Sequence, residues 1–231
     1  METLDLTIII PARNEIESLE KVIPALFVWS KSIKEIVIVV DTLSDSTFQI
    51  SKNPQLRLFP FRIIVNSGLG IAGALHSGVE HSDTKYVGVC MADEVLPLMR
   101  VDEFLQALRG GKSFVSATRY ASGGARHGGS KLGHFLSWLA NYLFRLYSRG
   151  RMTDATTGMK FFARNSWPVI GRRIDYKGWA PALAMSRNVL ESSLSTAEVP
   201  IISLDRPVGG NSSFRVSVWV PAYLQAFLKT H

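Results

Sequence analysis

The sequence contains one cysteine, Cys90, so an intrachain disulfide is excluded and a reducing compartment is the expected environment. No apolar run reaches the ~18 to 20 residues that a membrane-spanning helix needs. Internal repeats and low-complexity segments are also absent. The amino terminus is acidic, and no small-residue cleavage site follows a hydrophobic segment, so we expect no signal peptide. These absences favour a soluble or peripheral protein, and we expect a single domain over residues 1–231.

Charge is distributed unevenly along the chain. Residues 1–99 carry 8 Lys/Arg and 12 Asp/Glu, whereas residues 100–190 carry 15 Lys/Arg and 4 Asp/Glu. This division suggests a first part that uses carboxylates and a second part that meets anions, although a solvated basic surface is the simpler alternative. The basic residues are not interleaved with a recognition motif for nucleic acid, so we do not expect a nucleic-acid partner.

Apolar β-branched runs alternate with helical patterns, which predicts an α/β fold with a mostly parallel central sheet flanked by helices. Asn14 followed by Glu17 predicts a helix cap. The predicted strands are Leu4–Ile10, Ile36–Val40, Arg62–Val65, Val87–Met91, Phe114–Ala117 and Met159–Phe162. The predicted helices are Ile16–Leu26, Ile71–Ser82, Val101–Arg109, His134–Ser148 and Val216–Leu228.

Two segments of the second half stand out. Ser122–Ser130 is rich in glycine and predicts a long flexible loop. The helix after it is apolar on nearly every side, and its polar residues Ser137, Asn141, Arg145 and Ser148 fall in one narrow stripe. We expect the stripe to line a cleft while the rest of the helix contacts core or lipid. A surface stripe on a mostly buried helix is the alternative.

The run from Val87 to Met91 ends in two adjacent carboxylates, Asp93 and Glu94. Open α/β sheets bind ligands beyond the carboxyl ends of their strands, so this is where a phosphate-bound cation would lie. A solvated turn after a strand is the alternative.

Gly68, Gly70 and Gly73 fit the G-x-G-x-x-G fingerprint of dinucleotide-binding oxidoreductases. Two strand–helix units precede them, however, whereas that fingerprint normally follows the first strand of its unit. We therefore keep the oxidoreductase as a minor alternative.

Several motifs together resemble inverting nucleotide-sugar glycosyltransferases of the GT-A fold, glycosyltransferase family 2. Thr7–Glu15 is similar to the opening strand and P-x-x-N-E turn of that family, and Val39–Thr47 is similar to its V-D-D-G-S-x-D-G-T motif. Asn66–Gly70 resembles its N-x-G-x-G turn, and Met91-Ala92-Asp93 lies where its metal-binding D-x-D belongs.

The second half resembles the polyprenyl-phosphate branch of that family, the dolichol-phosphate mannose synthase type. The motifs concerned are Thr118–Tyr120, the glycine loop, Ser137 with Asn141, Asp154–Lys160 and Val199–Arg206. The resemblance implies transfer of a sugar from a UDP- or GDP-linked donor to a polyprenyl (dolichyl or undecaprenyl) phosphate. It also implies that the transfer takes place at a membrane face. The apolar face of Val216–Leu228 and the basic middle of the chain favour peripheral attachment to anionic lipid, which we expect at the cytoplasmic face of a membrane. Stable anchoring would need a membrane protein partner or the lipid substrate itself.

The resemblance assigns a role to each candidate residue. It implies nucleotide binding in the first part, residues 1–99, and acceptor binding in residues 100–231. The residues implied to bind the nucleotide are Pro11, Ala12, Arg13, Glu15, Asp41, Gly68 and Asp93, and those implied in catalysis are Asp93, Arg119 and Arg206. The residues implied to bind the acceptor phosphate are Arg119, Lys131 and Ser137, and those implied to bind a Mg²⁺ or Mn²⁺ ion are Asp93 and Glu94.

The chain departs from the family pattern at its metal motif. Met91 stands where the first Asp of D-x-D is expected, and Gly133 stands where a basic residue would meet the lipid phosphate. Magnesium keeps waters and takes further ligands from substrate phosphates, so a site with one protein carboxylate is still feasible, and we expect weak metal affinity without the donor. These departures keep open a second hypothesis, a catalytically weakened relative that binds nucleotide sugar or lipid phosphate without turnover.

Overall fold

The computed structural model describes residues 3–68, 70–204 and 216–228, with the backbone alone for 216–220. Its strands are β1 Leu6–Pro11, β2 Ile33–Val40, β3 Phe61–Val65, β4 Tyr86–Val89, β5 Phe114–Thr118, β6 Ala125–His127, β7 Lys160–Ala163, β8 Thr196–Pro200 and β9 Ile202–Leu204. Its helices are α1 Ile16–Trp29, α2 Gly70–Glu80, α3 Val101–Arg109, α4 Lys131–Tyr147, α5 Trp167–Ile170, α6 Ala180–Leu190 and α7 Val216–Leu228.

The central sheet has the strand order β3-β2-β1-β4-β7-β5-β8. Strand β7 runs antiparallel to both of its neighbours, and the other pairings in this sheet are parallel. The predicted α/β fold with a mostly parallel sheet is therefore confirmed. Because parallel strands end at the same edge, the residues that follow β1, β2 and β4 are brought together there.

Both faces of the sheet are buried, which explains why its strands are continuously apolar. Along β1, Ile8 and Ile10 pack into one hydrophobic core with α1 and α3, whereas Ile9 packs into a second core with α2 and α6. The sheet is thus a central layer between two helical layers. Within the described residues, no helix is long and apolar enough to cross a membrane.

Two sequence predictions are wrong in detail. Asn14 does not cap α1, because its backbone is left-handed (φ 55°) and the helix begins at Ile16 without a side-chain cap. The glycine loop is not wholly irregular, because its residues Ala125–His127 form β6, which pairs in parallel with β9. Strand β6 therefore holds the segment leading into α4 against the end of β9.

Candidate functional site

The turns after β1 and β2 are joined by backbone hydrogen bonds to side chains. The Asn14 N–H donates to Asp45 Oδ1 (3.0 Å), and the Glu15 N–H donates to Thr47 Oγ1 (3.2 Å). Burial alone would raise the pKa of Asp45, but hydrogen bonds from Thr47 and Asn14 hold it below its usual value. The turn that carries the candidate nucleotide residues is therefore fixed beside β2.

Asp41 connects the end of β2 to the glycine turn after β3. Its Oδ1 accepts hydrogen bonds from Asn66 Nδ2 (3.0 Å) and from the Gly70 N–H (3.1 Å). Four candidate nucleotide-binding residues thus lie on the first three turns of the sheet edge: Pro11, Ala12, Asp41 and Gly68. Arg13 is exposed, and Glu15 Oε2 accepts a hydrogen bond from Ser18.

Close packing accounts for the glycines of the dinucleotide-like motif. A side chain at Gly73 would place its Cβ 2.9 Å from the Gly68 Cα and 2.5 Å from Asn66 Oδ1, and Gly70 has a positive φ of 65°. The motif follows β3, which is an edge strand, rather than the first strand of the sheet. The geometry therefore gives no support to the oxidoreductase alternative.

The tip of β4 places Asp93 on the exposed rim of the sheet edge. Glu94 Oε1 accepts a hydrogen bond of 2.5 Å from Ser203 Oγ on β9, so one of its oxygens is already engaged. The described residues contain no group of three or more metal-ligating side chains. A single hard carboxylate oxygen donor at Asp93 fits Mg²⁺ or Mn²⁺ only if donor phosphates and waters supply the other ligands.

Met91, which stands where the family has a metal-binding carboxylate, lies in an apolar environment beside Gly158 and Trp179. A Cβ on Gly158 would lie 2.7 Å from the Met91 sulfur and 2.6 Å from the Trp179 ring. Gly158, Met91 and Trp179 therefore meet at one point, with no space for a larger side chain on Gly158. This packing explains why a thioether is tolerated where the family pattern has an acid.

Arg119 is held by a buried carboxylate. Its Nε donates to Asp154 Oδ2 (2.7 Å), its Nη2 donates to Asp154 Oδ1 (3.0 Å), and the two side chains are 12% and 0% exposed. Burial lowers the pKa of Arg119, but the carboxylate of Asp154 raises it more. Burial raises the pKa of Asp154, whereas Arg119 and its hydrogen bonds bring the net value below the usual range. Both groups are therefore ionised at neutral pH.

The guanidinium of Arg119 still has an unused edge. Asp154 and Thr156 take Nε and Nη2, whereas Nη1 makes no hydrogen bond to any residue that the structure describes. Arg119 also lines an open cleft of about 360 Å³ together with Tyr120, Arg126, His134, Phe135 and Trp138. The cleft thus combines cationic groups with aromatic side chains.

The polar stripe of α4 turns inward at Ser137 and Asn141, so the alternative of a surface stripe on a mostly buried helix is wrong. Asn141 Nδ2 donates to Thr156 Oγ1 (2.9 Å), and Asn141 Oδ1 accepts from the Ala155 N–H (2.9 Å). Ser137 Oγ accepts a hydrogen bond of 2.9 Å from the Tyr120 hydroxyl. Arg145 is exposed and departs from the stripe. The stripe therefore docks α4 on the loop that carries Asp154.

The opposite face of α4 exposes large apolar side chains to solvent. Trp138 and Tyr142 stack with ring centroids 5.5 Å apart, and Phe135 lies 6.2 Å from Trp138. We call this surface the α4 apolar face, and it consists of Leu132, Phe135, Trp138, Tyr142, Leu143, Leu146 and Tyr147, which are 46–60% exposed. Lys131 begins the helix and is exposed. A contiguous group of exposed large apolar side chains is typical of an interaction site.

The C-terminal helix packs against the second helical layer. Ala226 is fully buried, its carbonyl accepts a hydrogen bond from Arg187 Nη1 (2.7 Å), and Phe227 packs edge-on against Phe144. One side of α7 thus contacts core, while Leu224 and Leu228 remain exposed. The catalytic prediction for Arg206 lies outside the described residues.

The sequence reasoning missed four polar residues that support Asp154. They are the buried or part-buried side chains Ser116, Lys160, Ser186 and Glu198. The available signal was Lys160, a lysine inside an otherwise apolar predicted strand. Asp154 also caps the turn that follows it, because its Oδ1 accepts from the Thr156 and Thr157 N–H groups.

The profile described as Glycosyl transferase family 2 matches residues 7–168, from β1 to α5. The chain belongs to this family. Its fold is also similar to that of solved glucosyl-3-phosphoglycerate synthase structures from Mycobacterium tuberculosis. One, in complex with phosphoglyceric acid, has a TM-score of 0.66 and 15% identity, over 88% of this chain and 73% of that one. Another, in complex with Mn²⁺, uridine diphosphate and glucosyl-3-phosphoglycerate, has a TM-score of 0.65 and 15% identity over the same shares.

This similarity shows the GT-A fold, and the family match shows a glycosyltransferase that takes its sugar from a nucleotide sugar. The roles of the individual site residues and the donor and acceptor division at residue 99 stay predictions.

Proposed function

We propose that the protein transfers a sugar from a nucleotide-diphosphate donor to a polyprenyl phosphate at a membrane surface. The observation that carries this proposal is the cleft in which Arg119 lies beside the aromatic residues of α4. An isoprenoid phosphate has an anionic head and an apolar tail, and the cleft offers a guanidinium next to Phe135 and Trp138. The α4 apolar face then continues from the cleft to solvent, where a bilayer would lie.

The proposed donor site is the sheet edge formed by the turns after β1, β2 and β4. Pro11, Ala12 and Asp41 would hold the nucleoside, and Asp93 would be the protein ligand of Mg²⁺ or Mn²⁺. A divalent cation, when bound, would neutralise charge on the leaving nucleoside diphosphate. The solved neighbours with Mn²⁺ and uridine diphosphate support this assignment by analogy of fold.

The proposed reaction needs positioning more than proton transfer. A phosphate oxygen of the acceptor attacks the anomeric carbon and forms a new C–O bond, while the C–O bond to the nucleoside diphosphate breaks from the opposite side. The configuration is therefore inverted. Because the acceptor phosphate is already ionised near neutral pH, no general base has to remove a proton. Arg119 Nη1, Ser137 and Lys131 would orient the phosphate.

A small soluble acceptor is the second candidate. The solved neighbours include complexes with phosphoglyceric acid, and a cationic cleft also suits a compact phosphorylated acid. The exposed apolar side chains along α4 favour the lipid, because a small hydrophilic acceptor makes no use of them.

The proposed location is the cytoplasmic face of a membrane, with the protein bound peripherally. A membrane protein partner would contact part of the α4 apolar face there.

The test measures donor binding and transfer separately. UDP- and GDP-sugars are titrated calorimetrically with and without Mg²⁺ or Mn²⁺, and transfer is then assayed to a polyprenyl phosphate and to phosphoglyceric acid. We expect metal-enhanced donor binding and transfer to the lipid phosphate. Asp93→Ala should remove the metal enhancement and leave the weak metal-free binding. Transfer to phosphoglyceric acid alone would refute the lipid acceptor, and donor binding without any transfer would favour the weakened relative.

A further inference from the structure

Lys160 is a buried ionisable residue that the proposed reaction does not use. It lies on β7 in the middle of the sheet, and its side chain is completely buried. Its Nζ donates to Ser116 Oγ (3.0 Å) and to Ser186 Oγ (2.8 Å), and it lies 5.5 Å from the centre of the Phe114 ring. A lysine is almost never fully buried without a charged partner in hydrogen-bonding contact. Its presence here therefore calls for a reason.

The two serines pass the contact on to the loop that carries Asp154. Ser116 Oγ lies 3.0 Å from the Ala117 carbonyl oxygen and 3.3 Å from the Asp154 carbonyl oxygen. Ser186 Oγ lies 3.1 Å from both the Ala182 and the Ala155 carbonyl oxygens. Because Lys160 donates to both hydroxyls, each serine donates its own proton to carbonyls, and it shares that proton between its own segment and the loop. Lys160 is thus linked to two consecutive carbonyls of the loop through two serines.

Glu198 holds the other side of the same loop. Its carboxylate accepts from the Thr153 N–H (2.9 Å), the Thr153 hydroxyl (2.8 Å) and the Asp154 N–H (3.0 Å). Glu198 therefore binds the N–H groups of the loop, and Lys160 contacts its carbonyls through the two serines. We call this arrangement the clamp. The side chain that this clamp presents is the Asp154 carboxylate, which in turn fixes Arg119.

We propose that Lys160 is a positioning residue for acceptor binding, which orients Arg119 through Asp154 and takes up a proton when an anion binds at Arg119. This inference rests on the proposed function, because it assumes that the anion is the acceptor phosphate.

The electrostatics give the direction of the coupling. Burial lowers the pKa of Lys160 to about 7, while Asp154 and Glu198 act to raise it and Arg119 acts to lower it. A phosphate at Arg119 offsets the guanidinium charge and adds negative charge nearby. Both effects favour the protonated amine, so the pKa of Lys160 rises on binding and a proton is taken up near neutral pH.

The direct test is a pH titration of lysine Nζ and Cε resonances by NMR in the full-length protein. The chain contains nine other lysines, and their signals should persist in Lys160→Met. We expect one lysine to titrate near 7, its signal to be missing in Lys160→Met, and its midpoint to rise by roughly half a unit with saturating farnesyl phosphate. Farnesol, which lacks the phosphate, is the matched control and should not move the midpoint. Inorganic phosphate separates recognition of the anion from recognition of the lipid.

Two outcomes would overturn the inference: no lysine that titrates below about pH 9, or a midpoint that farnesyl phosphate leaves unchanged although it binds. Failure of farnesyl phosphate to bind while a UDP-sugar still binds would instead refute the proposed acceptor. Lys160→Met can fail to fold, so Ser186→Ala provides a second variant that keeps the amine. We expect Ser186→Ala to raise the acceptor KM several-fold with donor affinity unchanged, and an unchanged acceptor KM would contradict the relay.

Discussion

Arg119 and Asp154 form an ion pair that is almost completely buried. Its contribution to the free energy of unfolding depends on both partners being present. Removing one partner of a buried pair leaves an uncompensated charge, which costs about 3–5 kcal/mol. We therefore expect Asp154→Asn to lower the free energy of unfolding by about that amount in urea denaturation. The double variant Arg119→Met/Asp154→Asn should be less destabilised than the sum of its single variants.

The matched control for this prediction is Asp5→Asn. Asp5 pairs with Arg109 at a partly exposed position, where ion pairs contribute about 0–1 kcal/mol. Since the folded-state pKa of Asp154 is below its usual value, its contribution is present above about pH 4 and is lost as the pH falls through the folded-state pKa. Equal costs for Asp154→Asn and Asp5→Asn, or strictly additive effects, would contradict the buried pair.

Met91 is the second residue whose identity has a measurable consequence. Met91→Asp restores the first acid of the family's metal motif, so we expect nucleotide-free affinity for Mn²⁺ to rise roughly tenfold. The new carboxylate would replace the contact with Gly158 and Trp179, and we expect stability to fall by about 1–3 kcal/mol. Calorimetry with Mn²⁺ alone measures the first effect, and urea denaturation measures the second.

Leu58→Asp is the control for the added charge, because Leu58 is 88% exposed and precedes the edge strand β3. If Leu58→Asp raises the affinity for Mn²⁺ as much as Met91→Asp does, the gain comes from net charge and the position of Met91 is irrelevant to the metal.

At the scale of single residues, the sequence predicts where a residue lies in the fold better than it predicts which side chain the residue contacts. Asp41 and Asp93 lie at the shared sheet edge as expected, because parallel strands end on one side. The partner of Arg119 is 35 residues away and follows no periodicity, so only the folded chain reveals it.

At the scale of elements, the apolar runs predicted β1 to β5 and β7, and the helical patterns predicted α1 to α4 and α7. Helix α6 was missed because all eleven of its residues are buried, which removes the polar stripe that marks an amphipathic helix. Strands β6 and β9 have three residues each and are defined by their pairing with one another. Such short strands depend on tertiary contacts that no local pattern encodes.

Helix α4 is the element with the most direct experimental test. Fully burying a leucine side chain contributes about 1.5–3 kcal/mol, so losing two exposed leucines from a membrane contact should cost at least tenfold in affinity. We expect Leu143→Ser/Leu146→Ser to lower binding to anionic vesicles by that factor in a flotation assay. Titration with a UDP-sugar should give the wild-type affinity, since the proposed donor site is formed by the turns after β1, β2 and β4 and includes no residue of α4.

Leu43→Ser/Leu58→Ser is the matched control, because both leucines are highly exposed and neither lies on α4. Leu43 follows β2, and Leu58 precedes β3. Wild-type vesicle binding by the α4 variant would show that its apolar face serves a different partner.

At the scale of the whole molecule, charge and apolar surface coincide. Residues 104–153 contain eight Lys/Arg and no Asp/Glu, and this segment includes the whole of α4. Basic residues near an anionic bilayer contribute about 1 kcal/mol each. Arg109 and Arg119 are engaged by Asp5 and Asp154, but the exposed Arg145 and Arg149 lie beside Tyr142 and Leu146 of the α4 apolar face. This part of the surface therefore offers both apolar contact and attraction to anionic lipid.

Charge reversal on this surface separates local attraction from net charge. We expect Arg145→Glu/Arg149→Glu to lower affinity for anionic vesicles at least tenfold at physiological ionic strength. Lys52→Glu/Arg57→Glu makes the same change in net charge at exposed positions before β3 and should have a smaller effect. At about 1 M salt the Debye length falls to about 3 Å, so the difference between the two variants should disappear. Equal losses in both variants would mean that only the net charge of +7 matters, and that the basic surface around α4 does not orient the protein on a membrane.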